Sequence, residues 1–158
     1  MANLSLAKKK IRTNDRIIMA SKEITNIRAA GTQKVGLKPS GLWYGIGTSW
    51  IDWVESEMPE WRGDFIYKIE VSSGGLLRLR SGKEIDTFAE AYGASGPIGG
   101  GNTTYIDWRK VASKYGGIEI APYQWNIRNK YLWYYAWDVA SGCIWNKSLV
   151  KNVKRITV

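Results

Sequence analysis

The sequence predicts one compact α+β domain with mixed and antiparallel sheets and a few short helices. The chain has 158 residues, of which 44% are apolar, which suits one domain with a hydrophobic core and not two. Segments in which apolar and polar residues alternate, as in a strand, are interspersed with amphipathic helical segments, without regular βαβ alternation. We expect the domain to cover residues 15–158. Residues 1–14 are polar and basic with little periodicity, which predicts a loosely held basic N-terminal arm.

The first half of the chain carries four predicted strands and two short helical segments. The strands are residues 16–21, 41–45, 64–72 and 76–79, and the helical segments are residues 24–27 and 49–55. In 64–72 apolar and polar residues alternate, which is the period of a half-buried strand. Ser49 is a suitable N-cap for the second helical segment, and Pro59 ends that segment. The Gly74-Gly75 pair predicts a turn between the last two strands.

The second half carries two amphipathic helices followed by extended segments. Ser81 and Glu84 form a capping-box pattern for the first helix, and Asp107 is a suitable cap for the second. Further strands are predicted at residues 117–121, 131–138 and 142–145, before a basic closing segment at residues 150–158. Residues 93–101 contain five glycines and Pro97, which predicts a mobile loop. This loop matches no phosphate-binding fingerprint.

Composition excludes several classes of function. Histidine is absent, which removes Ser-His-Asp and Cys-His nucleophiles, His-based acid–base catalysis and nearly all catalytic zinc sites. We therefore expect no metal site. No apolar run approaches the roughly 20 residues that span a bilayer, and the N-terminus lacks the apolar part of a secretory signal. Together with the single Cys143, these features predict a cytoplasmic protein with no membrane partner.

Charge is distributed in three blocks along the chain. Residues 1–40 carry nine basic and two acidic side chains, residues 41–108 carry five and ten, and residues 109–158 carry nine and two. The blocks produce a dipolar surface if they stay apart and an internally neutralised one if they pack together. The basic ends suit nucleic acid or a phosphate-bearing ligand, or else an ordinary solvated surface.

Aromatic rings and one acidic residue are the candidates for binding and chemistry. The chain has nine Trp and nine Tyr, and flat rings bind bases and nicotinamide by stacking, besides filling a core. Alternation in the segment around Glu119 places this carboxylate opposite Ile118 and Ile120, where it either serves a ligand or forms a surface ion pair. Asp138 suits a structural role in capping the turn that follows the predicted aromatic strand.

Several tryptophan-centred motifs resemble those of a group of short phage and bacterial proteins. The motifs are KPSGLWY at residues 38–44, GIEIAPY at 117–123, WYYAWD at 133–138 and SGCIW at 141–145, and the resemblance covers about residues 15–148. The order of the pieces is in turn similar to the ADP-ribosyltransferase fold. In that superfamily a first strand carries His or Arg, a second carries Tyr or Ser, and a late strand carries Glu.

The resemblance implies an NAD-binding mono-ADP-ribosyltransferase that transfers ADP-ribose to a protein or nucleic-acid acceptor or cleaves NAD. The first-strand position falls near Met19, which departs from the usual His or Arg. The other implied site residues are Tyr44 and Glu119 as catalytic residues, with Ser21, Trp43, Tyr44, Arg16 and Arg28 as ligands of NAD. Glu119 would hold the ribose 2′-hydroxyl and stabilise an oxocarbenium-like transition state.

Two other functions agree with the same composition. A non-enzymatic module would bind single-stranded nucleic acid through the basic ends and exposed aromatic rings. A structural or host-interaction protein, such as a virion component, would use the dense aromatic core without any active site. A phage origin would place the protein in the host cytoplasm or in the virion.

Overall fold

Ten strands and five helices make up the part of the chain that the computed structural model describes, which is residues 4–29, 31–95 and 104–156. The strands are β1 (Arg16–Ala20), β2 (Val35–Gly36), β3 (Leu42–Ile46), β4 (Phe65–Val71), β5 (Leu76–Leu79), β6 (Gly93–Ala94), β7 (Tyr105–Asp107), β8 (Gly117–Ile120), β9 (Ser141–Ile144) and β10 (Val150–Arg155). The helices are α1 (Leu4–Lys9), α2 (Ser49–Glu57), α3 (Gly82–Tyr92), α4 (Trp108–Ala112) and α5 (Leu132–Tyr135), with 3-10 turns at Pro59–Trp61, Trp125–Ile127 and Lys147–Leu149.

Seven strands form one sheet in the order β10-β4-β1-β3-β9-β8-β5, and the other three form a small sheet in the order β2-β7-β6. Neighbouring strands are antiparallel except for the parallel pair β5 and β8. A parallel pair needs a long crossover, which α3, β6, β7 and α4 supply between β5 and β8. The predicted α+β class, with mixed and antiparallel sheets and a few short helices, is confirmed.

The large sheet has two faces with different coverings, because successive side chains of a strand point to opposite sides. One face, which we call the Glu119 face, carries an apolar cluster that includes Ile18, Tyr67 and Ile144. The other face, which we call the helical face, is covered by α1 and α2 at the β1 and β4 end. Helices α3, α4 and α5 cover its other end, over β8 and β5.

Two of the three predicted helix caps are confirmed. The N-cap predicted at Ser49 is wrong: Ser49 is the first residue of α2, Thr48 occupies the N-cap position, and the Ser49 hydroxyl donates to the Ala140 carbonyl at 2.8 Å. At α3 the Ser81 hydroxyl accepts a hydrogen bond from the Glu84 amide at 3.1 Å. At α4 the Asp107 carboxylate accepts from the following turn, as an N-cap carboxylate does. These starts depend on side chains within one turn, so they do not require knowledge of the whole fold.

The strand predicted for residues 131–138 is wrong, because this segment contains the short helix α5. Trp133 and Trp137 are four residues apart and both buried, and Tyr134 is buried beside them. Spacings of three and four residues are those of one helix face. The run is so uniformly aromatic that this period is hard to distinguish from the alternation of a strand.

The N-terminal segment is packed rather than loosely held. Helix α1 buries Leu4 and Ala7, which lie three residues apart and contact the cluster beneath α1 and α2. The Lys8 ammonium lies 2.6 Å from a carboxylate oxygen of Asp52 in α2. Two buried apolar side chains and the ion pairs of Lys8 with Asp52 and Glu55 therefore attach residues 4–9 to the domain.

Two other predicted segments differ or fall outside the structure. Residues 24–27 are irregular instead of helical, and the Ile24 amide donates to the Tyr67 hydroxyl at 2.9 Å. Of the predicted mobile loop at 93–101, the first two residues form β6, and residues 96–101 lie outside the described part of the chain.

Ion pairs join the three charge blocks of the sequence. Pairs that connect different blocks include Lys8–Asp52, Arg16–Glu119, Lys68–Asp15, Lys130–Asp86 and Arg155–Glu23. The blocks therefore pack against one another and neutralise part of their charge. Within the described ranges, no helix is long and apolar enough to cross a membrane.

Candidate functional site

Glu119 lies in a row of four residues across the Glu119 face. Arg78 of β5 is opposite Glu119 of β8, Glu119 is opposite Gly142 of β9, and Gly142 is opposite Tyr44 of β3. Because Gly142 has no side chain, the Tyr44 ring lies across it and reaches Glu119. A Cβ atom at residue 142 would be 2.4 Å from the Tyr44 hydroxyl oxygen. Arg16 joins the group from β1, the strand beyond β3.

Three side chains donate hydrogen bonds to the Glu119 carboxylate, and we call the four residues the Glu119 network. Arg16 Nε donates to Oε1 at 2.7 Å, and the Tyr44 hydroxyl donates to the same oxygen at 2.9 Å. Arg78 Nε donates to Oε2 at 3.1 Å. The Glu119 side chain is 3% exposed. Both carboxylate oxygens therefore have partners, and the network connects four strands of the sheet.

Burial sets the protonation of the network. It raises the pKa of the Tyr44 phenol far above its ordinary value, and the Glu119 charge acts in the same direction. Burial opposes the Arg16 charge, but the hydrogen bond and the charge of Glu119 outweigh it, so the pKa of Arg16 is raised. Tyr44 therefore remains a neutral donor and Arg16 a cation. Such a network holds a carboxylate rigidly and would release it only by moving a donor.

A cavity of about 300 Å³ lies on the helical face, on the other side of β3 from the Glu119 network. Its lining includes Trp43 of β3, Trp50 of α2 and Trp137, which precedes β9. The ring centroids of Trp43 and Trp137 are 5.0 Å apart with the planes at 66°. Gly45 allows α2 to approach, since a Cβ there would be 2.8 Å from the Trp50 Cβ. Aromatic walls of this kind suit a flat ring.

Two charged side chains share this cavity lining. Lys38 and Asp138 both border the cavity, so it offers one cation and one carboxylate beside the indole rings. The Lys38 ammonium lies 5.6 Å from the ring centre of Trp43. Trp137 is 1% exposed, and its indole N–H has no hydrogen-bond partner among the described residues.

An open groove of about 570 Å³ adjoins the cavity. The two spaces share Met19 and Trp50 in their linings. Ser21, Lys22 and Arg28 line the groove beyond these shared residues. The groove therefore continues from the aromatic cavity and carries two cations, Lys22 and Arg28, together with the carboxylate of Glu23 and the ring of Trp61.

The site residues expected from the sequence fall on two faces of the sheet. Ser21, Trp43 and Arg28 border the groove or the cavity, whereas Arg16 and Glu119 lie on the Glu119 face, and Tyr44 borders the cavity but directs its hydroxyl to Glu119. Trp43 and Tyr44 are consecutive in β3 and therefore point to opposite faces. The structure brings Arg16, Tyr44 and Glu119 together, and it does not bring Trp43 to them.

Sequence reasoning did not single out Arg78 and Lys38. Arg78 carries a weak signal, because alternation in β5 sets it opposite the apolar Leu77 and Leu79. Its contact with Glu119 arises from the parallel pairing of β5 and β8, which the local pattern does not reveal. Lys38 lies in a loop at the start of the KPSGLWY motif, which marks its position in the sequence but does not indicate that it lines a cavity.

Comparisons with protein-family models, curated proteins and solved structures give no match to this chain. Within the described residues, no three His, Cys, Asp or Glu side chains form a group that would hold a metal ion.

Proposed function

We propose that this protein binds a nucleotide of the NAD class in the cavity and the adjoining groove. The observation that carries the proposal is an aromatic cavity, lined by Trp43, Trp50 and Trp137, that continues into a groove lined by Lys22 and Arg28. Stacking on an aromatic side chain contributes about 1–3 kcal/mol per base. A ring in the cavity, with phosphates beside Lys38 and along the groove, would use both parts.

The cations of this space are available to an anionic ligand. Lys22, Arg28 and Lys38 have no ion-pair partner in the part of the chain that the structure describes, whereas Arg16 and Arg128 each face a carboxylate. Hydrogen bonds between a cation and a phosphate oxygen are roughly twice as strong as those between neutral groups. A pyrophosphate would therefore gain more here than beside cations that are already paired.

The dimensions support a ligand that extends beyond the cavity. Pockets for small molecules occupy roughly 300–1,000 Å³, so a cavity of about 300 Å³ lies at the small end of this range. It would hold one ring with its sugar. The groove, at about 570 Å³, would accept the remaining nucleotide.

The test is a calorimetric titration of the full chain with NAD. We expect saturable binding by the wild type and about 5–10-fold weaker binding by Lys38→Gln, or about 1–1.4 kcal/mol, because one phosphate contact is lost. Lys34→Gln is the matched control, since Lys34 is an exposed lysine that does not line the cavity or the groove. A wild type that does not bind NAD at millimolar concentration overturns the proposal.

A second candidate function is ADP-ribosyl transfer or NAD cleavage at the Glu119 network. One observation favours it: Arg16, Tyr44 and Glu119, which the ADP-ribosyltransferase resemblance lists among the site residues, come from three separate strands and converge in direct hydrogen bonds. Met19, at the first-strand position of the resemblance, instead lines the cavity. For this chemistry Glu119 would exchange one of its present donors for a ribose hydroxyl. The NAD would then lie on the Glu119 face.

Release of nicotinamide from NAD tests this second candidate, measured with and without protein and nucleic-acid acceptors. Transfer at the network predicts activity that falls at least 100-fold in Glu119→Gln and is retained in Lys38→Gln. Tyr44→Phe provides a second network variant that keeps the ring. The folded fraction of each variant is measured by circular dichroism. The absence of nicotinamide release from the folded wild type would contradict this candidate and leave the binding proposal standing.

A further inference from the structure

Asp138 is the carboxylate that borders the cavity. Among the described residues of its lining, the other side chains are apolar, aromatic or hydroxyl-bearing, apart from the cation of Lys38. Asp138 lies between α5 and β9, and its side chain is 27% exposed. It therefore contacts both the cavity and solvent, as a group that meets an entering ligand must.

Arg128 holds Asp138 from the side. Its guanidinium Nη2 lies 3.6 Å from Asp138 Oδ1. The same guanidinium donates to the Tyr123 hydroxyl at 3.2 Å, and that hydroxyl donates to the Trp137 carbonyl at 2.6 Å. The Arg128 guanidinium carbon Cζ lies 4.8 Å from the centroid of the Tyr135 ring. These contacts fix the cation, and the cation in turn limits the positions open to the Asp138 carboxylate.

The two charged side chains of the cavity lining suit the phosphate and the sugar of a nucleoside phosphate. Lys38 offers a cation to a phosphate, and Asp138 offers acceptor oxygens to hydroxyl donors in the same lining. An ionised carboxylate has about four lone-pair sites and donates no hydrogen bond. The closest contact of the ion pair with Arg128 is made by Oδ1, and the proposed ligand would use the other oxygen.

We propose that Asp138 is a specificity residue that accepts hydrogen bonds from the vicinal hydroxyls of the adenosine ribose, so that the cavity selects nucleotides with a free 2′-hydroxyl on that ribose. The proposal rests on the nucleotide binding proposed above. A 2′-phosphate in this position would place a second anion beside a carboxylate, and a deoxyribose would leave an acceptor without its donor. Arg128 acts as a positioning residue for Asp138.

The experiment compares the affinities of the full chain for NAD and for NADP, which differ by one 2′-phosphate. The wild type should bind NAD at least 10-fold more tightly than NADP, and Asp138→Asn should reduce this ratio to less than 3-fold. A ratio of affinities does not change when a fraction of the protein is unfolded. Asp86→Asn is the matched control, because Asp86 is also a partly exposed, ion-paired aspartate but does not line the cavity.

A second pair of ligands separates the hydroxyl contact from charge repulsion. AMP should bind several-fold more tightly than 2′-deoxy-AMP to the wild type, and equally to Asp138→Asn. If the wild type binds NAD and Asp138→Asn has the same ratios of ligand affinities as the wild type, the role of Asp138 is overturned and the proposed function is left intact. The absence of NAD binding by the wild type overturns both.

Discussion

Glu119 is a buried carboxylate. Two guanidinium groups balance its charge, and a neutral phenol donates a further hydrogen bond to it. A carboxylate removed from water is costly unless it is paired and hydrogen-bonded, and each Glu119 oxygen has a donor here. The donors Arg16 and Arg78 remain 21% and 41% exposed, so their charges keep part of their hydration. Removal of any one member would therefore leave a buried charge or donor without its partner, which is expected to destabilise the protein.

Gly142→Ala is predicted to destabilise the protein through this network. The added Cβ would lie 2.4 Å from the Tyr44 hydroxyl oxygen, so the ring must move and its bond to Glu119 is lost. Overpacking of this kind costs about 1–3 kcal/mol, measured here by urea unfolding. The matched control is Gly36→Ala in β2, where a Cβ would meet no heavy atom within 4 Å. Equal unfolding midpoints for the two variants would contradict this account of the network.

Stability is predicted to fall at alkaline pH. Burial raises the pKa values of Tyr44, Tyr134 and Cys143 in the folded state. The native state therefore keeps protons that the unfolded chain releases above about pH 8.5 for the thiol and about pH 10 for the phenols. The stability from these groups is complete below these values and is lost as the pH rises, by about 1.4 kcal/mol per pH unit for each group.

Urea unfolding of the wild type at pH 7, 9 and 10.5 measures this dependence. Tyr44→Phe should show a shallower loss above pH 10, because one of the buried phenols is removed. A free energy of unfolding that stays constant between pH 7 and pH 10.5 would show that these groups are not protected from ionisation by burial.

At the scale of elements, local side chains predict where helices begin, but they do not reveal that the aromatic segment contains a helix instead of a strand. Ser81 and Asp107 cap α3 and α4 through bonds within one turn. Residues 131–138 were misassigned, because nearly every position is apolar and the difference between the two periods is small. Helix α1 was missed since its apolar contacts lie on other elements, which a polar and basic local sequence does not show.

Leu4→Ala tests whether α1 is part of the domain. Leu4 is 2% exposed and packs with Ile17 and Ile51, so its truncation should cost about 2–4 kcal/mol in urea unfolding. Leu6→Ala is the matched control on the same helix, because Leu6 is 46% exposed and should change stability by less than about 0.5 kcal/mol. A loosely held arm would instead give two variants with wild-type stability.

Part of the Glu119 network could be predicted from the sequence. Alternation placed the Glu119 carboxylate away from its isoleucine neighbours, and the resemblance associated it with Arg16 and Tyr44. The separation of Trp43 from these residues follows from the same period-two rule. The contribution of Arg78 could not be predicted, because it depends on which strands pair across the crossover.

At the scale of the whole molecule, charge and aromatic content are distributed over two candidate sites. Ion pairs between the sequence blocks neutralise part of the charge, while cations such as Lys22 and Arg28 along the groove have no ion-pair partner among the described residues. The Glu119 network lies on one face of the sheet, and the aromatic cavity lies on the other. The proposed ligand is therefore expected on the helical face.

A crystal structure of the full chain grown with NAD tests this central claim most directly. The account predicts ring density against Trp43 and Trp137, with phosphate density beside Lys38 and along the groove. NAD bound on the opposite face, against Arg16 and Glu119, or no bound NAD at millimolar concentration, would contradict it.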